Sequence, residues 1–365
     1  AIEGEIAPGA IVELRDGGGR YLARGYFNPR SKIVVRVLTR RDEPIDQAFW
    51  TARIAAAQDW RRQRLPDATA YRLVHADADG CPGLIVDRYG ETLVVQVLTL
   101  GISRQLDAIV QALIAAVRPA AILERSDVSS RALEGLEPRF ETLYGRPPDG
   151  PVEIEENGLR YRVDLATGQK TGYFFDQRLN RLALAPYAPD ANVLDAFCNA
   201  GGFALNALRF GARAVHALDI SGEALAAAAA NAALNGLAGR MSFAEANAFD
   251  ALRNYERERR NYDLVILDPP AFTKRRDRVA AARRGYKEIN LRGLRLLAPG
   301  GVLVTCSCSH HLSRDAFEEV VLEAAHDAGR RVWLLERRGQ SPDHPVLAGV
   351  PESEYLKCLI LRVVS

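Results

Sequence analysis

Two cysteines stand one residue apart in GGVLVTCSCSHHLSRDAF, residues 300–317, and two histidines follow them. Cys306, Cys308, His310 and His311 raise four readings: a nucleophilic thiolate, a metal site, a disulfide, or the plain end of a buried strand. Adjacent ligands on an extended strand do not easily close a tetrahedron, and structural zinc sites favour a C-x2–4-C spacing, so no metal is expected. The five cysteines, Cys81, Cys198, Cys306, Cys308 and Cys358, are too sparse for a disulfide framework in a chain of 365 residues. They suit a reducing, cytoplasmic setting. Residues two apart on a strand face the same side, so both thiols of the pair could face a cleft, with Cys308 nearer the carboxyl end.

A second reactive position is Asp268 in LVILDPPAFTK. It ends an apolar run, and the two prolines after it stiffen the loop and remove amide donors. Burying a carboxylate is costly unless something pairs with it, which favours a chemical role for this one. Three more segments of the same kind precede it. In LDAFCNAGGFAL, Gly201 and Gly202 open a helix and let a ligand approach the backbone; the spacing is not GxGxxG, which argues against a dinucleotide. Cys198 in that segment is a lesser nucleophile candidate. In HALDIS, Asp219 follows the glycines by about twenty residues, where an acid can accept from ribose hydroxyls or simply cap a helix. In EANAF, Asn247 could meet the polar edge of an adenine and Phe249 its face, the plainer reading being a loop with one buried aromatic.

These positions need a frame that gathers them. From residue 192 onward, strand and helix patterns alternate: NVLDAF, GGFALNALRFG, AVHALDI, GEALAAAAANAALNG, MSFAEANAF read as a strand, YDLVILD, INLRGLRLLAPG read as a helix, and GVLVTCSC. Such alternation predicts an α/β fold with a mostly parallel, Rossmann-like sheet whose ligands lie outside the carboxyl ends of the strands. Ahead of it, VEIEENGLRYRVDL is a hairpin with Asn157-Gly158 at its turn. Residues 69–149 read as a small α+β unit, closed by the turn-rich GRPPDGP. Residues 9–39 read as short strands, and 45–65 as a helix ending before Pro66.

Composition sets outer limits. Hydrophobic residues make up 48% of the chain, a globular value. No window reaches the ~18 uncharged apolar residues of a membrane span, so no membrane partner is expected. The start, AIEGEIAPGA, shows no secretory signal, and the lack of an initiator methionine points to a trimmed terminus. Net charge is only +2, yet residues 20–64 hold eleven Arg/Lys against four Asp/Glu, and 274–287 hold seven against one. Basic patches suit a polyanion, although charge runs are usually solvated faces.

The glycine turn, the acid, the amide and the DPP loop, in this order, resemble the class I S-adenosylmethionine-dependent methyltransferases. Together with DLATGQKTGYFFDQRLNR (164–181) and TCSCS, nearly the whole chain resembles the bacterial ribosomal RNA large subunit methyltransferase I family. PGAIVELRDGGGRYLARGYFNPRSKIVVRVLT resembles that family's N-terminal PUA domain, and GLIVDRYGETLVVQVLT its central domain. The resemblance implies a PUA-like RNA-binding β-barrel over residues 1–66, its first strand missing or replaced. It implies a central α+β domain over 67–149, and a methyltransferase domain over 150–365 that includes the 152–165 hairpin. Family members usually begin with a segment containing His-Pro-Trp, which is not present here, and carry Asp where Asn247 stands.

By the same resemblance, S-adenosylmethionine is held by Lys170, Arg178, Asp195, Phe197, Asn199, Gly201, Gly202, Asp219, Asn247 and Asp268. The implied product is 5-methylcytosine in large-subunit (23S) rRNA. Carbon 5 of cytosine is a poor nucleophile until a thiolate adds to carbon 6, so the chemistry calls for a cysteine, with a carboxyl group near ring nitrogen 3. A related motif, GG-x-LVYSTC, counted from Gly300-Gly301, puts the nucleophile at Cys308 and leaves Cys306 in the core, with Asp268 as the acid. Lys274, Arg275, Arg276, Arg283, Arg284 and Lys287 are expected on RNA phosphates, and the histidines on RNA or as caps of the next helix. A homodimer is among the expected assemblies. The competing readings are methylation of a nitrogen, which needs no thiolate, and a non-catalytic RNA-binding assembly factor. A nicotinamide dehydrogenase is more distant.

Overall fold

The computed structural model describes residues 4–166, 172–273 and 276–364, with only the backbone of Arg276. The chain divides into two compact units: Ala1–Glu155 with Val163–Phe175 and Pro342–Leu347, and Glu156–Arg162 with Asp176–Ser341 and Ala348–Ser365. The domain boundary expected at 66/67 falls inside the first unit.

In the first unit, β1 (Ile11–Arg15), β2 (Tyr21–Phe27) and β3 (Val35–Thr39) form an antiparallel three-stranded sheet, and α1 (Gln47–Arg64) follows, capped by Asp46. A five-stranded sheet comes next: β4 (Ala70–His75), β5 (Leu84–Tyr89), β6 (Thr92–Val97), then α2 (Leu100–Arg104) and α3 (Leu106–Val117), β7 (Ala121–Ser126) and β8 (Arg139–Gly145). Only β6 and β7 run parallel, because α2 and α3 carry the chain back across the sheet between them. One core, including Tyr26, Trp50, Ile54, Leu73, Val95 and Ile109, serves both sheets. Not all of the basic residues here are available: Arg61 is fully buried and forks onto Asp79 at 2.6 and 2.7 Å, and Arg72 forks onto Asp87 at 2.8 and 2.9 Å.

A two-stranded ribbon, β9 (Val152–Glu156) and β10 (Leu159–Val163), turns through Asn157 (φ 56°) and Gly158 (φ 70°), the paired positive φ values that an Asn-Gly hairpin turn requires.

The second unit holds α4 (Arg178–Leu182), β11 (Asn192–Ala196), α5 (Gly202–Arg209), β12 (Ala214–Asp219), α6 (Gly222–Leu234), β13 (Met241–Glu245), α7 (Ala248–Arg257), β14 (Tyr262–Leu267), α8 (Val279–Arg295), β15 (Leu297–Ser307), α9 (Arg314–Asp327), β16 (Val332–Arg338) and β17 (Lys357–Val363). Its sheet has the order β13-β12-β11-β14-β15-β17-β16, parallel through β15, with β17 antiparallel to both of its neighbours. This is the mostly parallel sheet that the class I methyltransferase resemblance implies. Both faces are covered, and alternate residues divide between them. Leu264, Ile266, Val302, Val304 and Cys306 join the α5 side, while Val265, Leu267 and Leu303 join the side of α7, α8 and α9.

Two element expectations need correction. The strand expected over MSFAEANAF stops at Glu245, because Asn247 caps α7. The helix expected to start near Ile289 begins at Val279, and the Ala-Pro-Gly segment after it belongs to β15.

Candidate active site at the carboxyl edge of the sheet

The strand order reverses between β11 and β14, so the crevice for a ligand opens where these two strands end. After Ala196 the backbone takes left-handed turns at Phe197 (φ 67°), Asn199 (φ 47°) and Gly201 (φ 84°). The loop is fastened to the end of β12: Phe197 and Cys198 donate their N–H groups to Leu218 O at 2.8 and 3.0 Å, and Asn199 donates its own to Asp219 Oδ2 at 2.9 Å. Gly201 supplies the φ that a side chain resists. Gly202 supplies room, since a Cβ there would stand 2.6 Å from Arg181 Nε.

Three acids gather at this edge. Asp195, fully buried on β11, accepts the Ala204 N–H of the first turn of α5 at 2.9 Å; its Oδ1 has no hydrogen-bond partner among the described residues. Burial raises its carboxyl well above the usual range and the nearby Asp268 and Asp219 add to this, against the pull of the Ala204 bond. Asp219 ends β12 half-buried, with one oxygen on the Asn199 N–H and the other on the Ser221 N–H at 3.0 Å. A carboxylate offers about four acceptor directions, so two remain for a vicinal diol. Asp268, half-buried just past β14, takes the Gln177 side-chain amide on Oδ1 at 2.9 Å. Gln177 is set in turn by Asn180 at 2.6 Å, and Asn180 by Arg338 at 3.1 Å.

The two cysteines part company. Cys306 is fully buried and lies directly across from Cys358 in the β15–β17 pairing; burial first, then Cys358, raises its thiol well above the usual value. Cys308 lies beyond the last residue of β15 and is partly exposed. Its neighbours Ser307 and Ser309 are fully buried and fixed. Ser309 Oγ meets the Tyr286 hydroxyl at 3.0 Å, its N–H donates to Ser307 Oγ at 3.3 Å, and its carbonyl accepts from Lys357 Nζ at 2.7 Å. Tyr286 belongs to an aromatic row, Phe249, Phe272, Tyr286 and Phe317, with successive centroids 5.6, 4.5 and 5.4 Å apart. Burial raises the Cys198 thiol as well, which favours its plain packing role.

The remaining expected site residues are placed as follows. Asn247 is exposed, and its Oδ1 accepts the Phe249 N–H at 2.9 Å. Arg178 is buried with Nε 3.6 Å from Glu156, the acid that Arg181 meets at 2.5 Å. Arg283 and Lys287 turn onto the acidic face of α9: Arg283 to Glu319 at 2.8 Å, Lys287 to Asp327 at 2.9 Å and Glu323 at 3.4 Å. Arg284 is exposed and has no ion-pair partner among the described residues. Lys170, Lys274, Arg275 and the Arg276 side chain lie outside the described residues. Neither histidine caps α9, where Ser313 does so; His310 stacks on Tyr355 at 5.2 Å, and His311 is exposed. Among the described residues no group of three or more His, Cys, Asp or Glu could hold a metal ion, and no helix is long and apolar enough to cross a membrane.

Gln177, Arg181, Tyr286 and Lys357 complete this edge without having been singled out in the sequence. Gln177 and Arg181 sit in the quoted FFDQRLNR segment, but nothing in their spacing says which of its polar residues turn inward. The donor set fits a nucleoside-bearing ligand: backbone without side chains at Gly201 and Gly202, acceptor capacity at Asp219, and partly buried rings at Phe197 and Phe249.

Residues 104–362 match the family of S-adenosylmethionine-dependent methyltransferases, and residues 1–40 match a PUA-like domain. The chain is 42% identical over 364 residues to a ribosomal RNA large subunit methyltransferase I of Shewanella denitrificans, covering 99% of this chain and 92% of that one. It is 41% identical over 367 residues to its counterpart in Klebsiella pneumoniae, covering 100% and 92%. The crystal structure of SMU.776 complexed with SAH superposes with a TM-score of 0.86 at 23% identity, over 98% of this chain and 92% of that one. A Streptococcus mutans structure gives 0.84 at 22% identity, over 99% and 93%. These two likenesses speak for the fold.

Proposed function

Because the chain belongs to the ribosomal RNA large subunit methyltransferase I family, whose members depend on S-adenosylmethionine, we propose that it methylates carbon 5 of a cytosine in large-subunit rRNA through a covalent adduct at Cys308. The single observation that carries this reading is the contrast between the cysteines: Cys308 is partly exposed past the strand end between two fixed serines, and Cys306 is sealed in the core. The 197–202 loop and Asp219 would hold S-adenosylmethionine, which would supply an electrophilic methyl group.

The chain's own residues do the rest. The Cys308 thiolate forms a bond to carbon 6, and the displaced electron pair makes carbon 5 nucleophilic. Asp268, steadied on one oxygen by Gln177, holds the ring at nitrogen 3, where added electron density needs a proton or a hydrogen bond. After methylation a base removes the carbon-5 proton, the carbon 6–sulfur bond breaks, and the thiolate is restored. The target base must be unpaired or drawn out of its stack. RNA contact is supported by the PUA-like match, by exposed Arg284, and by a cleft of about 800 Å³ lined by Arg40, Arg41 and Arg53.

The test is nucleoside mass spectrometry of large-subunit rRNA treated with wild-type enzyme, Cys308→Ala and Cys306→Ala. Wild type and Cys306→Ala are expected to give 5-methylcytosine, and Cys308→Ala none, with S-adenosylmethionine binding by calorimetry unchanged. A methyl group on nitrogen, or undiminished transfer by Cys308→Ala, would overturn the proposal.

A further inference from the structure

Lys357, the first residue of β17, is a buried cation with no carboxylate in ion-pair range among the described residues. Its ammonium donates to Ser309 O at 2.7 Å and to Tyr355 O at 2.8 Å, which uses two of its three N–H groups. Burying a charge with only carbonyl partners is costly, and such an arrangement persists where the charge has work to do. In the β15–β17 register Lys357 faces Ser307, and its head grips Ser309; the residue between those two is Cys308. The other charges near Lys357 largely cancel, because Arg314 and Glu354 pair at 2.6 Å. On the α8 side the titratable neighbour of Cys308 is Tyr286, whose phenol burial pushes up to about 12, so it stays neutral. His310 stacks on Tyr355 and His311 lines the cleft of about 400 Å³ that also reaches Lys357.

Resting on the reading of Cys308 as nucleophile, we infer that the Lys357 ammonium is the counter-charge that holds the Cys308 sulfur as a thiolate. Burial, partly offset by Cys308, lowers Lys357 to about 8, so the lysine is mainly protonated at neutral pH. The thiol proton therefore leaves to solvent and not to the lysine. Lys357 is a positioning and electrostatic residue: it acts on the sulfur, and through Ser309 on the backbone that presents it.

The test is the pH profile of Cys308 alkylation by iodoacetamide in the full chain, followed by peptide mass spectrometry. The other four cysteines are buried, and Cys308→Ser supplies the blank. In wild type the midpoint is expected at least about one unit below the ~8.5 of a free thiol. Lys357→Met should raise it by about one unit, slowing alkylation at pH 7 roughly tenfold, and Lys357→Arg should restore most of the loss. A merely structural clamp would leave the midpoint in place. A wild-type midpoint at or above ~8.5 overturns the inference without any variant, and so does a folded Lys357→Met protein with the wild-type profile. Methyl transfer by Cys308→Ala alongside a shifted profile would overturn the nucleophile and leave the charge pairing standing.

Discussion

Gly202→Ala is expected to destabilise the second unit, with the seven-stranded sheet, by about 2–4 kcal/mol. The new Cβ would stand 2.6 Å from Arg181 Nε and 2.9 Å from Cζ, and an ordinary contact at 3.4 Å requires a retreat of 0.8 Å (3.4 − 2.6). A solvent-exposed arginine would give way cheaply. Arg181 is held: its side chain is 5% exposed, and it sits 2.5 Å from Glu156, whose side chain is fully buried. Breaking a buried pair from one side costs about 3–5 kcal/mol. Arg178, 3.6 Å from the same carboxylate, retains part of the pairing, which sets the lower figure. The assay is urea unfolding of wild type, Gly202→Ala, Arg181→Met and the double variant. With the guanidinium gone the methyl group has room, so the alanine should be neutral or stabilising by up to ~1 kcal/mol through helix propensity. The cycle should therefore show a coupling of about 2 kcal/mol or more. Additivity within ~0.5 kcal/mol would refute the clash and the role given to Gly202.

Two further outcomes follow from the geometry. Asn247→Ala should cost about 1 kcal/mol through loss of the α7 cap, while Asn247→Asp, an equally good cap, should be neutral in the same unfolding assay. Burial first, then His344, Arg72 and Arg61, lower His75 to about 2 in the folded protein. Its folded value lies below its unfolded one, so as pH falls through 6.5 the unfolded chain binds a proton that the native state refuses, and stability falls by up to ~1.4 kcal/mol per pH unit. Urea midpoints at pH 7 and pH 5 should diverge less in His75→Gln than in wild type, and equal divergence would contradict the assignment.

The parts legible in the sequence were those written in local pattern. The βα alternation fixed the parallel half of the sheet, and each acid or glycine at the end of an apolar run landed at the carboxyl edge, as Gly201, Asp219 and Asp268 show. The period-two rule did not separate Cys306 from Cys308; what separates them is that β15 ends at Ser307, a boundary that apolar character alone does not mark. Asn247 was misplaced on a strand run because a cap and a strand tail look alike when the next residues are Ala-Phe. Within the basic run Arg283 and Lys287 are cancelled by Glu319, Glu323 and Asp327, acids more than thirty residues downstream and invisible to a charge count taken along the chain. Lys357 was passed over because its partners, Ser309 and Tyr355, meet it only when the antiparallel strand is in place.

That strand has a consequence for how the protein matures. β17 comes after β16 in the chain but lies between β16 and β15, so β16 has no seat in the sheet until β17 has docked. Docking joins Lys357 to Ser307 across fifty residues (357 − 307), a non-local closure of the kind that sets slow folding steps. Until then Val332 and Leu334 lack the core they pack against, and the Ser309 carbonyl lacks the Lys357 ammonium. Under the counter-charge role proposed for Lys357, activation of the Cys308 sulfur would wait on completion of the fold.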